Sequence, residues 1–470
     1  MLFDSPVYVA FLILVVAAYW RLRRRGQNIF LLCASYFFYG WWDWRFLLLM
    51  AGSTCIDYLI GKRLPSLQSP QRKRALLILS LCINFGFLGV FKYFNFFTAS
   101  FAGMLGTLGI HGVSMTMLRI ILPPGISFYT FQEVAYIVDV YKGKIQPAKS
   151  LLDYALFISL FPHLIAGPIQ QPSHLLPQVQ QDREFDSNKF FDGLMLILFG
   201  LLQKCIIADN CALIANAAFN GRFGSTTAPV VLLGAYAFAW QIYGDFAGYS
   251  NIARGSAQLL GFHFMVNFRQ PYLATTLQDF WRRWHISLSS WLRDYLYIPL
   301  GGSRKGESRT YGNLLTTMLL GGLWHGANWT FVIWGAIHGA GLALERLLGL
   351  KPDDAASQGW IMRWLKRIAL FNFVCLSWVF FRAASIRDAI QFLAGLGEFA
   401  WEPAYLTAFK FLSIFAVLMF LLDLRMESKN EEYAFQHVSP LVRVGIGASA
   451  LLAIAFFGAN QANAFIYFQF

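Results

Sequence analysis

The chain has 470 residues, 57% of them hydrophobic and 13% charged, with a formal net charge of +13 and a mean hydropathy of +0.49. A soluble domain carries roughly 25% charged residues, and no polar stretch here is long enough to form one, so soluble folds are excluded and one membrane domain over residues 1–470 is expected. The apolar runs do not alternate, which excludes a transmembrane barrel and predicts an all-α polytopic membrane protein of about 10–12 spanning or half-spanning helices.

The N-terminal stretch MLFDSPVYVAFLILVVAAYWRLRRR carries its charge after the apolar core, and no small-residue cleavage site follows. It reads as an uncleaved first helix with its N-terminus outside. RLRRR (21–25), KRLPSLQSPQRKR (62–74), the loop at 301–309 and RWLKR (363–367) carry the positive charge in short loops. That is the positive-inside pattern, and without a basic face on a soluble fold no nucleic-acid partner is expected. Residues 26–61 lie between two cytosolic loops and turn near GWWDWR (40–45). Each arm holds only about 12–16 apolar residues against the ~20 that a bilayer needs, so short helices and local thinning are expected.

Further apolar segments lie near 75–97, 99–122, 126–141, 150–166, 190–218, 228–262, 311–348, 362–382, 404–424 and 441–468. LFPHLIAGPIQQP, with Pro162, Pro168 and Pro172 around His163, predicts broken backbone beside protein or a cavity. In DFWRRWHISLSSWLRDYLYIPLGGSRKG (279–306), Phe280, Trp281, Trp284, Leu288, Trp291, Leu292 and Tyr295 follow helical spacing. They predict one amphipathic helix at the cytosolic membrane face, with His285 turned inward. The six cysteines form no C-x-x-C pair and are expected to be small buried hydrophobes.

Ionisable groups in membrane segments are costly and therefore candidates for function. His325 lies in GLWHGANW, flanked by the small-x-x-x-small pairs Gly322/Gly326 and Gly335/Gly339, which let helices approach closely. It is either a packing histidine or a general base, since a buried imidazole loses the solvation of its cation and stays neutral. Trp324, Asn328 and Trp329 would shape its surroundings. His285 either shares that cavity or snorkels to an interface. His338, about 220° from His325 on a straight helix, is expected to be structural. Asp245, in QIYGDFAGYSN, either orients a catalytic group or anchors a hydrogen bond, with Tyr249 or an arginine as partner. The basic glycine loop with Arg304, Lys305 and Arg309 either binds an anionic cofactor or anchors the chain to the membrane surface. No H-E-x-x-H, Walker, G-x-S-x-G or G-x-G-x-x-G motif is present, so no metal site, nucleotide hydrolysis or serine esterase is expected.

FWRRWHISLSSWLRDYLYIPLGG together with GGLWHGANWTFVIWGAIHG closely resembles the membrane-bound O-acyltransferase (MBOAT) family. LLPPGISFYTFQEVAYIVDVYKG, LFPHLIAGPIQQP, QIYGDFAGYSNIARG and the terminal FIYFQF fit its bacterial alginate O-acetylase-like branch. The resemblance implies a ring of tilted helices around a central tunnel, in the bacterial inner membrane. It implies acetyl-CoA as a cytosolic donor, with no tightly bound cofactor, His325 as the catalytic histidine and His285 as the second histidine of this branch. On that reading Arg304, Lys305, Trp324 and Asn328 hold the donor, and Asp245 and Trp329 orient it or line the path. The partners implied are a periplasmic SGNH-like acetyltransferase, an exported alginate- or cellulose-type polysaccharide, and membrane lipid. D-alanyl transfer to teichoic acid, or a transporter or flippase without chemistry, are the competing expectations.

Overall fold

The computed structural model describes residues 1–110, 117–118, 121–165, 167–351, 359–459 and 465–466, and among them no strand occurs. Six helices are long and apolar enough to cross a bilayer: Pro70–Thr107, Ser187–Phe219, Ala228–Leu259, Trp360–Arg382, Pro403–Lys429 and Pro440–Phe457. The protein is therefore a multi-pass helical membrane protein. Much of the expected 99–122 segment, and most of FIYFQF, lies outside the described residues. The chain divides into two compact units, Met1–Asp186 with Leu260–Phe264, and Ser187–Leu259 with Met265–Phe470.

The first unit contains α1 (Pro6–Tyr19), α2 (Arg24–Asp43), α3 (Arg45–Arg63), α4 (Pro70–Leu88), α5 (Phe94–Thr107), α6 (Ile126–Tyr141), α7 (Leu151–Ser159), α8 (Phe161–Leu164) and α9 (Pro172–Gln180). A π-turn at Gly89–Tyr93 joins α4 and α5 into one 38-residue helix, where the sequence suggested two. α2 and α3 are 20 and 19 residues long, longer than the short arms expected. They continue through the charged flanks Arg24 and Lys62–Arg63 and bury Gln27, Asn28, Ser53, Thr54 and Asp57 against the unit, so their length is not limited by apolar content. Cys33, Cys55 and Cys82 sit on exposed helix faces; only Cys211 and Cys375 are fully buried as expected.

The prolines do break the backbone around His163, which is held between two partners. Its Nε2 donates to the Phe157 carbonyl at 3.1 Å, and its Nδ1 accepts from the Gln132 amide at 3.2 Å. With both ring nitrogens used within the fold, His163 is a core histidine.

The second unit contains α10 (Ser187–Leu201), α11 (Asp209–Phe219), α12 (Ala228–Leu259), α13 (Leu277–Arg283), α14 (Ile286–Leu292), α15 (Glu307–His325), α16 (Trp329–Leu347), α17 (Trp360–Arg382), α18 (Ile386–Ala394), α19 (Pro403–Lys429) and α20 (Pro440–Phe457). A π-turn at Leu202–Ala208 joins α10 to α11. α10 and α12 meet backbone to backbone. A Cβ on Gly200 would stand 2.6 Å from the Gly248 carbonyl, and one on Gly255 2.5 Å from the Gly193 carbonyl. Such contacts suit a medium where close packing, not water, drives helix association.

The expected 311–348 segment is a hairpin. α15 ends at His325, the chain turns through Gly326–Asn328, and α16 returns. A Cβ on Gly322 would lie 2.2 Å from the Phe331 carbonyl, and one on Gly335 2.2 Å from the Met318 carbonyl. These glycines bring the two helices together, as the small-residue spacing suggested.

The amphipathic stretch is not one helix. It breaks at Trp284–His285, where His285 adopts left-handed backbone (φ 44°), and resumes as α14. The cause is tertiary: Ile286 N–H donates to the Asn267 carbonyl at 2.9 Å and Arg269 N–H to the Arg283 carbonyl at 2.9 Å. These bonds replace helical ones, and they hold a side-chain-bearing residue in a conformation that costs about 1 kcal/mol or more.

Candidate active site

Residues 326–328 fix His325 at the end of α15. Asn328 caps α16: its Oδ1 accepts from Thr330 N–H at 3.0 Å, and its Nδ2 donates to the Ala384 carbonyl at 2.9 Å. The His325 ring is 3% exposed and meets Trp324, Trp334 and Phe381 at centroid distances of 5.0, 5.2 and 5.2 Å.

His285 is fully buried, and its ring centroid lies 6.2 Å from that of His325. Trp324 touches both rings, and the Phe246 ring meets His285 edge-on at 4.6 Å. Burial pushes the His285 imidazole down to about 3, so the ring is neutral. His285 lies between two short helices, outside the six spans. Its inward orientation was expected from helical spacing. The helix is broken there, and the orientation comes from the Asn267 segment.

Asn267 is the polar group that sequence reasoning missed. Its Oδ1 accepts from Ser287 N–H at 3.2 Å, from Ser287 Oγ at 2.9 Å and from His285 Nδ1 at 3.2 Å; its Nδ2 donates to Ser250 Oγ at 3.1 Å. An asparagine in a connecting segment has no motif to mark it.

A cavity of about 840 Å³ runs beside α15. Its lining includes His325, Trp334, Trp281 and Met318, and also the cations Arg282, Arg293, Arg346 and Lys351 with the carboxylates Glu307 and Glu345. Arg346 makes a bidentate bond to Glu307 at 2.8 Å through both nitrogens, beside the first turn of α15. The cavity thus joins these charged groups to the buried histidine.

The other expected site residues are placed as follows. Asp245 pairs with Lys204 at 2.9 Å, and its Oδ2 accepts from Ile466 N–H at 2.7 Å. Lys204 also bridges to Asp209 at 2.8 Å, and the π-turn that carries it places it there. Asp245 is followed in sequence by Phe246, whose ring packs on His285. Arg304 and Lys305 are exposed on the turn before α15 and do not line the cavity; Trp329 is half-exposed at the start of α16. His338 is buried with Nε2 bonded to Ser377 Oγ at 2.9 Å, a structural contact as expected. The hairpin turn removes the straight-helix argument for separating it from His325, since both rings pack on Trp334.

His325, which lines the cavity, and His285 beside it are thus two buried imidazoles inside a multi-pass helical protein. The family model of the membrane-bound O-acyltransferases (MBOAT) matches residues 146–386, and the chain belongs to that family. It is therefore an acyltransferase. A probable alginate O-acetylase of Pseudomonas aeruginosa is 43% identical over 407 residues, which cover 86% of this chain and 76% of the relative. A peptidoglycan O-acetyltransferase of Helicobacter pylori is 36% identical over 429 residues, 84% of this chain and 80% of its own. A teichoic acid D-alanyltransferase of Bacillus subtilis is 29% identical over 278 residues, 55% of this chain and 68% of its own.

Proposed function

We propose that this protein is an inner-membrane O-acetyltransferase that passes acetyl groups from cytosolic acetyl-CoA toward an exported polysaccharide, with His325 as the catalytic base. The observation that carries this reading is the cavity joining Arg282, Arg346 and Lys351 to the buried ring of His325. CoA presents phosphates at one end and a thioester at the other, and Arg and Lys side chains suit phosphate. The O-acetyltransferase relatives, similar over most of the chain, support acetyl as the group and a polysaccharide as the destination. Arg304 and Lys305 then serve as outer anchors for the donor. Trp324 and Asn328 hold the reacting end in place indirectly, through the His325 turn, and Trp329 flanks it. Asp245 keeps Phe246 against His285.

His325 takes the proton of an acceptor hydroxyl as its oxygen bonds to the acetyl carbonyl carbon. The C–S bond then breaks, and the thiolate receives that proton from His325 and leaves as CoA thiol. The acceptor is a hydroxyl of the polymer or of a periplasmic SGNH-like acetyltransferase partner. D-alanyl transfer to teichoic acid is less well supported, since the likeness to that relative spans 55% of the chain.

The test is His325→Ala. Expected are loss of polymer acetylation in cells, loss of CoA release from acetyl-CoA by purified protein, and normal accumulation in the membrane. Undiminished acetylation in that variant would overturn the reading.

A further inference from the structure

We infer that Asn267 is a positioning residue of the acyl-transfer site, whose amide oxygen fixes the tautomer of His285 and makes Nε2 that ring's proton-accepting atom. The inference rests on the reading of His325 and His285 as the site of transfer.

A backbone N–H can only donate, so the Asn267 side-chain atom facing Ser287 N–H is the oxygen. Its amino group is accounted for at Ser250 Oγ. The same oxygen faces His285 Nδ1 at 3.2 Å, so Nδ1 must carry the hydrogen. A neutral imidazole with a hydrogen on Nδ1 has a lone pair on Nε2. That nitrogen is fully buried and has no hydrogen-bond partner among the described residues. The two ring centroids lie 6.2 Å apart, so adjacent hydroxyls of one acceptor can reach both rings at hydrogen-bond lengths of about 2.8 Å.

His285 Nε2 is therefore left to accept a hydrogen bond from a donor other than the reacting hydroxyl, such as a second hydroxyl of the acceptor, and so to set how the reacting oxygen meets His325. Asn267 also pins the left-handed backbone at His285, because its carbonyl takes Ile286 N–H and its side chain takes Ser287 N–H. One residue thus sets the position of the ring and its protonation pattern, as outer-shell partners of metal-bound histidines do.

The test compares Asn267→Asp with Asn267→Leu in purified full-length protein. An aspartate keeps the acceptor at Nδ1, and its charge stabilises the imidazolium. Among the described residues, the groups packed on His285 are Phe246, Phe268, Trp324, His325 and Asn267, of which His325 alone titrates. Asn267→Asp should retain acetyl transfer, with the acid limb of kcat against pH moved upward by about one unit or more. Asn267→Leu should lower kcat about 10–100-fold, with little change in KM for acetyl-CoA. If Asn267→Asp behaves as Asn267→Leu does, with no movement of the pH profile, Asn267 is merely structural and the inference fails. Should Asn267→Asp not accumulate, Ser250→Val carries the test: it removes the hydroxyl that holds the amide, and an unchanged kcat overturns the inference. Activity that survives His325→Ala defeats the underlying site. Activity that needs His325 but ignores Asn267 defeats this inference alone.

Discussion

Replacing Gly335 by alanine tests whether the α15–α16 contact sets the position of His325. The new Cβ would lie 2.2 Å from the Met318 carbonyl oxygen, against a C···O contact of about 3.3 Å. The helices must then separate by about 1 Å, since a carbonyl cannot turn away without breaking its own helix. Overpacking of this kind costs about 1–3 kcal/mol. The larger effect is on rate. Trp334 precedes Gly335 and packs on His325 at 5.2 Å, so the shift reaches the reacting ring. A displacement of about 1 Å can cost on the order of 100-fold in rate. The assay is acetyl transfer from acetyl-CoA by purified protein, alongside thermal unfolding. Gly312→Ala is the control on α15, because no atom lies within 4 Å of its built Cβ. It should be neutral, or stabilised by about 0.5–1 kcal/mol through helix propensity. Wild-type rate and stability in Gly335→Ala would refute the reasoning, as would equal damage from Gly312→Ala.

Asn328→Ala should lose about 1 kcal/mol from the α16 cap and a comparable amount from the bond to Ala384, seen as a lower unfolding temperature; Asn328→Asp should recover the cap portion alone. Lys204→Met strands Asp209 and Asp245 in the interior, a loss of about 3–5 kcal/mol, and should sharply reduce accumulation in the membrane. Adding Asp245→Asn to that variant should restore part of the level. Arg346→Glu should raise KM for acetyl-CoA at least about tenfold, with a smaller rise for paired reversal at Arg304 and Lys305. Unchanged affinity in the paired variant removes that loop from donor binding.

Much of the fold could be read from apolar runs and punctuation. The spans around 228–262, 362–382 and 404–424, the proline break at His163 and the close-packing glycines around His325 all follow from local chemistry. The missed features share one cause: each is decided by partners distant in sequence. Nothing within WRRWHIS signals a break, since it contains no glycine or proline. The break exists because Asn267 and Arg269 capture bonds that a helix would otherwise make. Lys204 was not singled out, because its meeting with Asp245 depends on a π-turn that spacing does not reveal. The cationic lining of the cavity draws Arg282 from one helix and Arg346 and Lys351 from the end of another, about 65 residues later, whereas sequence reading favoured the obvious local cluster at 304–309.

α12 joins two very different surfaces. With 3.6 residues per turn, Gly244, Gly248 and Gly255 fall within about 40° of one another, and Phe246 and Ser250 point about 200–240° away from Gly244. One side is flush with α10, and the other presents Phe246 to His285 and Ser250 to Asn267. What faces the glycines at 244, 248 and 255 is first a main-chain carbonyl, of Gln203, Gly200 and Gly193. Every amino acid carries that oxygen. A side chain introduced on this seam therefore has no compensating substitution at the atom it strikes. A suppressor screen started from Gly248→Ala should recover changes elsewhere, or true revertants, and none at Gly200.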